Sequence, residues 1–285
     1  MADAQITVVT RSCDRPALLM RAAEGLSSQG GGFDWLIVND GVGEIDRESL
    51  SISGVSISVI ETAPSADARK KGRSFSGKAG LAAAQGEYLL LHDDDDMLLP
   101  GALEALSAYL DENPKVVAVS GGNEVWEETE GEAYKVSTNE LGLPLRFYDL
   151  AERNRLLTIS TLFRRQVYED IGGLRTDIDA LEDWDLWLRM MVQGDIDVIK
   201  NIVARQYLRG EGAASALSNS TQAEHEDARI RLLNAYLRDD IQAGRLGLGA
   251  LVHRPHARFV EEVDDRLRRA GRLKRKFMPW TSNKR

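Results

Sequence analysis

The sequence has one cysteine, Cys13, in 285 residues. A disulfide framework is therefore excluded, and at this length an apolar core can hold the chain without covalent staples. No apolar stretch approaches the roughly 20 residues that a membrane-spanning helix needs. The first residues show no cationic segment leading into a long apolar one, so no secretory leader and a reducing, cytoplasmic setting are expected. Positive charge is in deficit: 36 lysines and arginines stand against 45 aspartates and glutamates, a formal net charge of −9. The body as a whole is thus not a nucleic-acid binder. The deficit reverses only at the end, where the chain from 264 to 285 is basic, with Phe277 and Trp280 interleaved. Such a tail suits docking on the inner face of an anionic membrane. It equally suits packing on the acidic body or on a second subunit.

What is present begins with alternation. Short apolar runs at Ile6–Thr10, Trp35–Val38, Val55–Ile60, Glu87–Leu91 and Val116–Val119 read as buried strands. Between them, helical spacing runs from Pro16 to Leu26, from about Asp67 to Gln85 and from Ala102 to Leu110. Strand–helix alternation of this kind predicts an α/β fold with a mostly parallel sheet and helices on both faces. Ligands bind such folds at the carboxyl ends of the strands. Polar clusters stand there: Arg11–Arg15, Asn39–Gly41 and the run His92-Asp93-Asp94-Asp95-Asp96.

The second half is less regular. Residues 122–150 are rich in glutamate with weak periodicity, and Leu181–Val192 is a strong amphipathic helix. Ile196–Tyr207 reads as a returning pair of strands, and Gln222–Ala243 and His256–Leu273 as two closing helices. Residues 210–220 are small and polar, which suits a linker or loop. The expected division is a main domain over 1–220, with a donor half to about 121 and an acceptor half from 122, and a helical extension with its basic tail over 221–285.

Four consecutive carboxylates after a buried strand repel one another, and partial burial raises that cost. A divalent cation is an economical compensation, and hard oxygen ligands suit Mg2+ or Mn2+ with substrate phosphates. In an extended run, Asp93 and Asp95 would share one face and Asp94 and Asp96 the other. The alternative is a solvated acidic turn before the helix that follows Pro100. Glu182-Asp183-Trp184-Asp185 opens a helix, where acidic residues also complement the helix dipole. Asp183 and Trp187 share one face of it, beside a neighbouring core face with Leu181, Trp184 and Leu188. His92 reads as structural more readily than as a ligand. Trp126, Trp184 and Trp187 are open to either sugar stacking or burial.

Four segments in order give these features a context: Ile6–Pro16, Leu36–Gly41, Gly80–Pro100 and Glu182–Asp185. Together the chain resembles the family 2 glycosyltransferases of the GT-A fold, which invert the sugar they transfer. The resemblance spans roughly residues 6 to 215. It implies that Asp93 and Asp95 stand at the metal-binding Asp-X-Asp positions, holding Mn2+ or Mg2+. It implies that Thr10, Arg11, Asp14, Asp40 and Asp93 meet a nucleotide sugar, with a UDP-sugar the expected donor. Asp183 stands at the general base, and Asp94, Glu182, Trp184 and Trp187 become candidates for sugar or acceptor contact. The implied acceptor is a glycan or lipid-linked hydroxyl, and a homo-oligomer is compatible. The usual arginine before the glycine aligned with Gly80 is missing, which leaves Arg69, Lys70, Lys71, Arg73 or Lys78 for the phosphate charge. The usual histidine after the last strand is also missing, where Arg209 or Glu211 stands. Two further classes remain: a non-catalytic scaffold derived from a transferase, and a sugar nucleotidyltransferase. The latter would want a glycine-rich basic loop that Arg11–Pro16 does not offer.

Overall fold

The computed structural model describes residues 5–62, 72–129, 132–141, 144–178, 180–209 and 222–252. Residues 210–220, the helix expected over 256–273 and the basic tail lie outside the described residues. The first half follows the expected alternation. Strand β1 (Ile6–Ser12) leads to α1 (Pro16–Ser27), β2 (Phe33–Asn39), β3 (Ser56–Glu61), α2 (Gly72–Ala83), β4 (Tyr88–Asp93), the short β5 (Met97–Leu98) and α3 (Ala102–Glu112). Pro16 opens α1, where a missing N–H costs nothing.

The second half contains β6 (Ala118–Thr129), β7 (Glu132–Asn139), α4 (Phe147–Glu152), β8 (Thr161–Arg164), α5 (Arg165–Asp170), α6 (Glu182–Gln193) and β9 (Ile196–Arg209). Helices α7 (Gln222–Ala243) and α8 (Leu248–Val252) follow. The described strands form one sheet of order β3-β2-β1-β4-β8-β6-β9-β5, with β7 pairing on β6. Strands β3, β2, β1 and β4 are parallel neighbours, as are β6 and β9, while β8 runs antiparallel between the two groups. The sheet is thus mostly parallel, as expected, with helices covering it.

One expectation changes here. The segment 196–207 is one strand, not a returning pair, because β9 continues along β6 past register shifts at Ser120–Asn123. The weakly periodic 122–150 stretch holds the end of β6, β7 and α4. By its internal contacts the chain divides into two compact units, one to Leu232 and one from Leu233.

Both faces of β1 are covered, so parity decides where each side chain goes. Ile6 and Val8 join Trp35, Ile37, Leu90, and residues of α1 and α3 in one core. Val9 and Val38 face α2, whose Gly80 lies so close that a Cβ there would come within 2.4 Å of Val9 and 2.5 Å of Val38. Only glycine lets α2 sit at this depth on the sheet.

Candidate active site

The parallel register places Thr10 opposite His92 and Arg11 opposite Asp93. Register partners share a face, so Arg11 and Asp93 point together toward α2. The Arg11 Nε donates to Asp93 Oδ1 (2.9 Å), and its Nη2 pairs with the same oxygen. Its Nη1 donates to Glu182 Oε1 on α6 (2.8 Å) and to the carbonyl oxygen of Arg73 (3.0 Å). One buried guanidinium therefore ties the end of β4 to the start of α6. Arg73, more than half exposed, reaches Asp93 Oδ2 at 2.8 Å. Burial alone would raise the Asp93 carboxyl, but Arg11 and Arg73 outweigh it and hold it well below the usual range. Glu182 is lowered in the same way: burial opposes, and Arg11 and Arg73 prevail.

Strand β4 ends at Asp93, and the amide of Asp96 returns to the Asp93 carbonyl (3.3 Å). The run is therefore a turn, and strand alternation does not extend along it. Asp94 is fully buried against Arg15 (2.5 Å), and burial pushes it up to about 7. Asp95 pairs with Arg209, the last residue of β9. Asp96 accepts the Tyr207 amide (2.9 Å), and burial with Asp95 nearby raises its pKa. Four arginines, from β1, the turn after it, α2 and β9, and a backbone amide thus compensate the run within the protein itself.

Helix α6 starts from Leu181, whose φ of 64° is left-handed. Leu181 and Asp14 (φ 53°) are the non-glycine residues with positive φ among those described, and both flank this site. Such strain concentrates where surrounding structure fixes a functional geometry. The backbone amide of Trp184 donates to Asp183 Oδ1 (2.8 Å), and Asn154 Nδ2 donates to Asp183 Oδ2 (2.8 Å). Burial, then the Glu182 charge, pushes the Asp183 carboxyl up to about 6 against those two hydrogen bonds. A carboxylate fixed in direction with a pKa near neutrality is suited to accept a proton.

Several candidates stand elsewhere. Thr10 is fully buried on the opposite face, where its hydroxyl accepts from Trp35 Nε1 (2.8 Å) and lies 3.1 Å from His92 Nδ1. Strand parity removes it from a nucleotide surface. His92 shares that burial, which drops its pKa to about 4. Trp184 and Trp187 are 1% and 0% exposed, and Trp184 Nε1 donates to the Leu150 carbonyl (2.7 Å). Both are core residues and present no ring face to a sugar, because the start of α6 turns that stripe inward. The buried Asp94 likewise presents no oxygen to a sugar. Trp126 is half-buried under the guanidinium of Arg205, 4.2 Å from the ring centre.

At the end of β2, Asp40 accepts the Thr62 hydroxyl (2.9 Å). Asp14 Oδ1 accepts the amides of Val42 (2.9 Å) and Gly43 (2.8 Å), so it fastens the turn after β2 to the turn after β1. Lys78 donates to the Gly172 carbonyl (3.4 Å), and it is Arg73 that reaches Asp93. Arg69, Lys70, Lys71 and Glu211 lie outside the described residues. Sequence reasoning did not assign Arg15 or Asn154, because their roles rest on contacts with residues far along the chain.

Among the described residues, no three acidic, histidine or cysteine side chains converge as a closed metal cage. Mg2+ and Mn2+ commonly take only one or two protein carboxylates and complete their shell with water and substrate phosphates. Asp93 and Asp95, with side chains 18% and 15% exposed, supply hard oxygens of that kind. The donor set fits that open form, and the buried His92 is not part of it.

The glycosyltransferase-like family 2 model matches residues 52–236. An uncharacterised glycosyltransferase of Bacillus subtilis, YwdF, is 25% identical over 186 residues, 65% of this chain and 67% of its own length. Across the curated relatives it matches, the chain spans between 40% and 67% of their length. TarS 1–349 of S. aureus, solved with UDP-GlcNAc, superposes with a TM-score of 0.56 at 14% identity over 81% of this chain and 67% of that one. The mannosyltransferase PcManGT of Pyrobaculum calidifontis, solved with GDP-Man and Mn2+, gives 0.56 at 15% identity over 89% and 71%. At these identities the two structures show a shared GT-A fold, and the family model identifies the chain. The chain belongs to the family 2-like glycosyltransferases.

Proposed function

We propose that this chain transfers a sugar from a UDP-sugar to a hydroxyl of a glycan or lipid-linked acceptor, in one displacement that inverts the anomeric carbon. The observation that carries this reading is the ion-paired line from Asp93 through Arg11 to Glu182, adjacent to Asp183. It joins the carboxylates at a parallel-strand end to the start of α6. The neighbouring structures hold UDP-GlcNAc and GDP-Man, which supports a nucleotide-sugar donor here.

Asp183 takes the proton of the acceptor hydroxyl as that oxygen attacks. Asn154 and the Trp184 amide hold its carboxylate in place. Asp40 receives the base or ribose. Asp14 shapes the adjoining turn, and Arg11 orders the site from below. Arg73 supplies the phosphate charge that the missing family arginine would carry. Asp95, with Asp93, would hold Mn2+ or Mg2+, which when bound supplies positive charge against the leaving diphosphate. No helix among the described residues is long and apolar enough to cross a membrane. We place the chain in the cytoplasm or at the inner membrane face.

The test is turnover of a panel of UDP-sugars with Mn2+ by the wild-type protein and by Asp183→Asn. Release of UDP by the wild type that falls at least about a hundredfold in the variant is expected for loss of a general base. Equal release by both would remove Asp183 from that role. A second reading, a nucleotide-sugar-binding scaffold, is favoured by the arginine pairing of Asp93, Asp94 and Asp95. Nucleotide binding without turnover of any donor would establish it.

A further inference from the structure

Arg209 closes β9, and the parallel pairing with β6 sets it opposite Glu128. Its side chain is only 4% exposed. The guanidinium lies between two carboxylates: Nη2 pairs with Asp95 Oδ2, and Nη1 lies 3.4 Å from Glu128 Oε2. Glu128 is itself held by Arg21 Nη2 at 2.7 Å. Arg21 Nη1 also donates to the Asp95 carbonyl oxygen, at 3.3 Å. The cation on Asp95 is thus built into the sheet and braced from behind.

A divalent cation and a guanidinium both seek the lone pairs of one carboxylate oxygen, and their charges repel at that distance. A nucleoside diphosphate changes the balance. Its oxygens add negative charge for the metal and offer the planar guanidinium a two-point partner. We propose that Arg209 is the resident counter-ion of Asp95, and that a divalent cation binds this site tightly only together with a nucleoside diphosphate, onto whose oxygens Arg209 transfers. The proposal rests on the reading of Asp95 as a metal ligand. It makes cation and nucleotide reciprocal ligands, each raising the affinity of the other by the same factor.

The test is titration of Mn2+ followed by the EPR signal of the free ion, without nucleotide and then with UDP or GDP. Wild type, Arg209→Gln and Arg209→Lys are compared. Wild type is expected to bind Mn2+ at least about tenfold more tightly with the nucleotide than without it, within the usual range of such coupling. Arg209→Gln is expected to bind Mn2+ alone at least about tenfold more tightly than wild type and to lose most of the coupling. Arg209→Lys, which keeps the charge and loses the fork, falls between them. Where a thermal melt shows Arg209→Gln unfolded, the lysine variant carries the comparison. Equal Mn2+ affinities in wild type and variants overturn the counter-ion role while leaving the donor site standing. Absence of Mn2+ binding in all three proteins with either nucleotide overturns this proposal and the metal site together.

Discussion

Arg11 spans Asp93 and Glu182, donating to one carboxylate at 2.9 Å and to the other at 2.8 Å. The two acidic residues lie 89 positions apart, since 182 − 93 = 89. Their joint partner is what brings the turn after β4 and the start of α6 into one charged cluster. The pairing raises the Arg11 pKa further, although burial opposes it.

Removing that guanidinium strands two buried carboxylates. Arg11→Met is expected to cost roughly 3–5 kcal/mol, the usual penalty for breaking a buried pair by removing one partner. Arg11→Lys would restore little, since one ammonium cannot reproduce the three-way fork. Urea unfolding measures both, and a loss below about 1 kcal/mol for the methionine variant would count against the bridge.

Transfer should depend on pH through Asp183. Its carboxyl sits at about 6, so the rate is expected to fall as pH drops through that value, approaching tenfold per unit well below it. Glu182→Gln removes a like charge and should move the fall to lower pH. Asn154→Ala removes a hydrogen bond to the charged form and should move it to higher pH. A pH–rate profile unmoved by both changes would exclude Asp183 as the titrating group.

The same shift has a stability consequence. A carboxyl with a raised folded pKa binds its proton more tightly when folded. That contribution is fully present below the ordinary carboxyl value near 4 and is lost as pH rises through about 6. Asp183→Asn should therefore stabilise the protein at pH 7 to 8, by roughly 1–2 kcal/mol once partial exposure and the weaker acceptor for Asn154 are discounted. Thermal melts at pH 8 and pH 4 check this: the gain should appear at pH 8 and vanish at pH 4.

Helix α2 offers a packing test remote from any titration. Gly80→Ala puts a methyl against Val9 and Val38 at distances no Cβ tolerates, so α2 must lift from the sheet. The expected cost is about 1–3 kcal/mol, typical of overpacking. Arg73 rides on α2, so its contact with Asp93 should loosen as well. A variant as stable as wild type would mean that the helix packs elsewhere.

Strands β1, β2 and β4 were legible because burial on both faces of a parallel sheet leaves near-continuous apolar runs. Strand β7 was not, since all eight of its residues are exposed and no apolar stripe marks it. Strand β9 was misread as two because exposed Lys200 and Asn201 interrupt its pattern in mid-strand. In the site, the aspartate run stood out by composition, and Glu182-Asp183 through the family resemblance. Their partners Arg15 and Asn154 did not, because only the folded sheet brings them near, and Arg209 was marked only as standing where the family's histidine is missing. Thr10 was misplaced for a local reason: it adjoins Arg11, and one residue along a strand is the opposite face.

The place of Asp95 in a nucleotide-sugar donor site can be read by calorimetric titration of UDP into the wild-type protein and Asp95→Ala, each with and without Mn2+. UDP binding is expected to strengthen with Mn2+ in the wild type and to lose that dependence in the variant. Failure of the wild type to bind UDP, GDP or any other nucleoside diphosphate, with or without the metal, would contradict it.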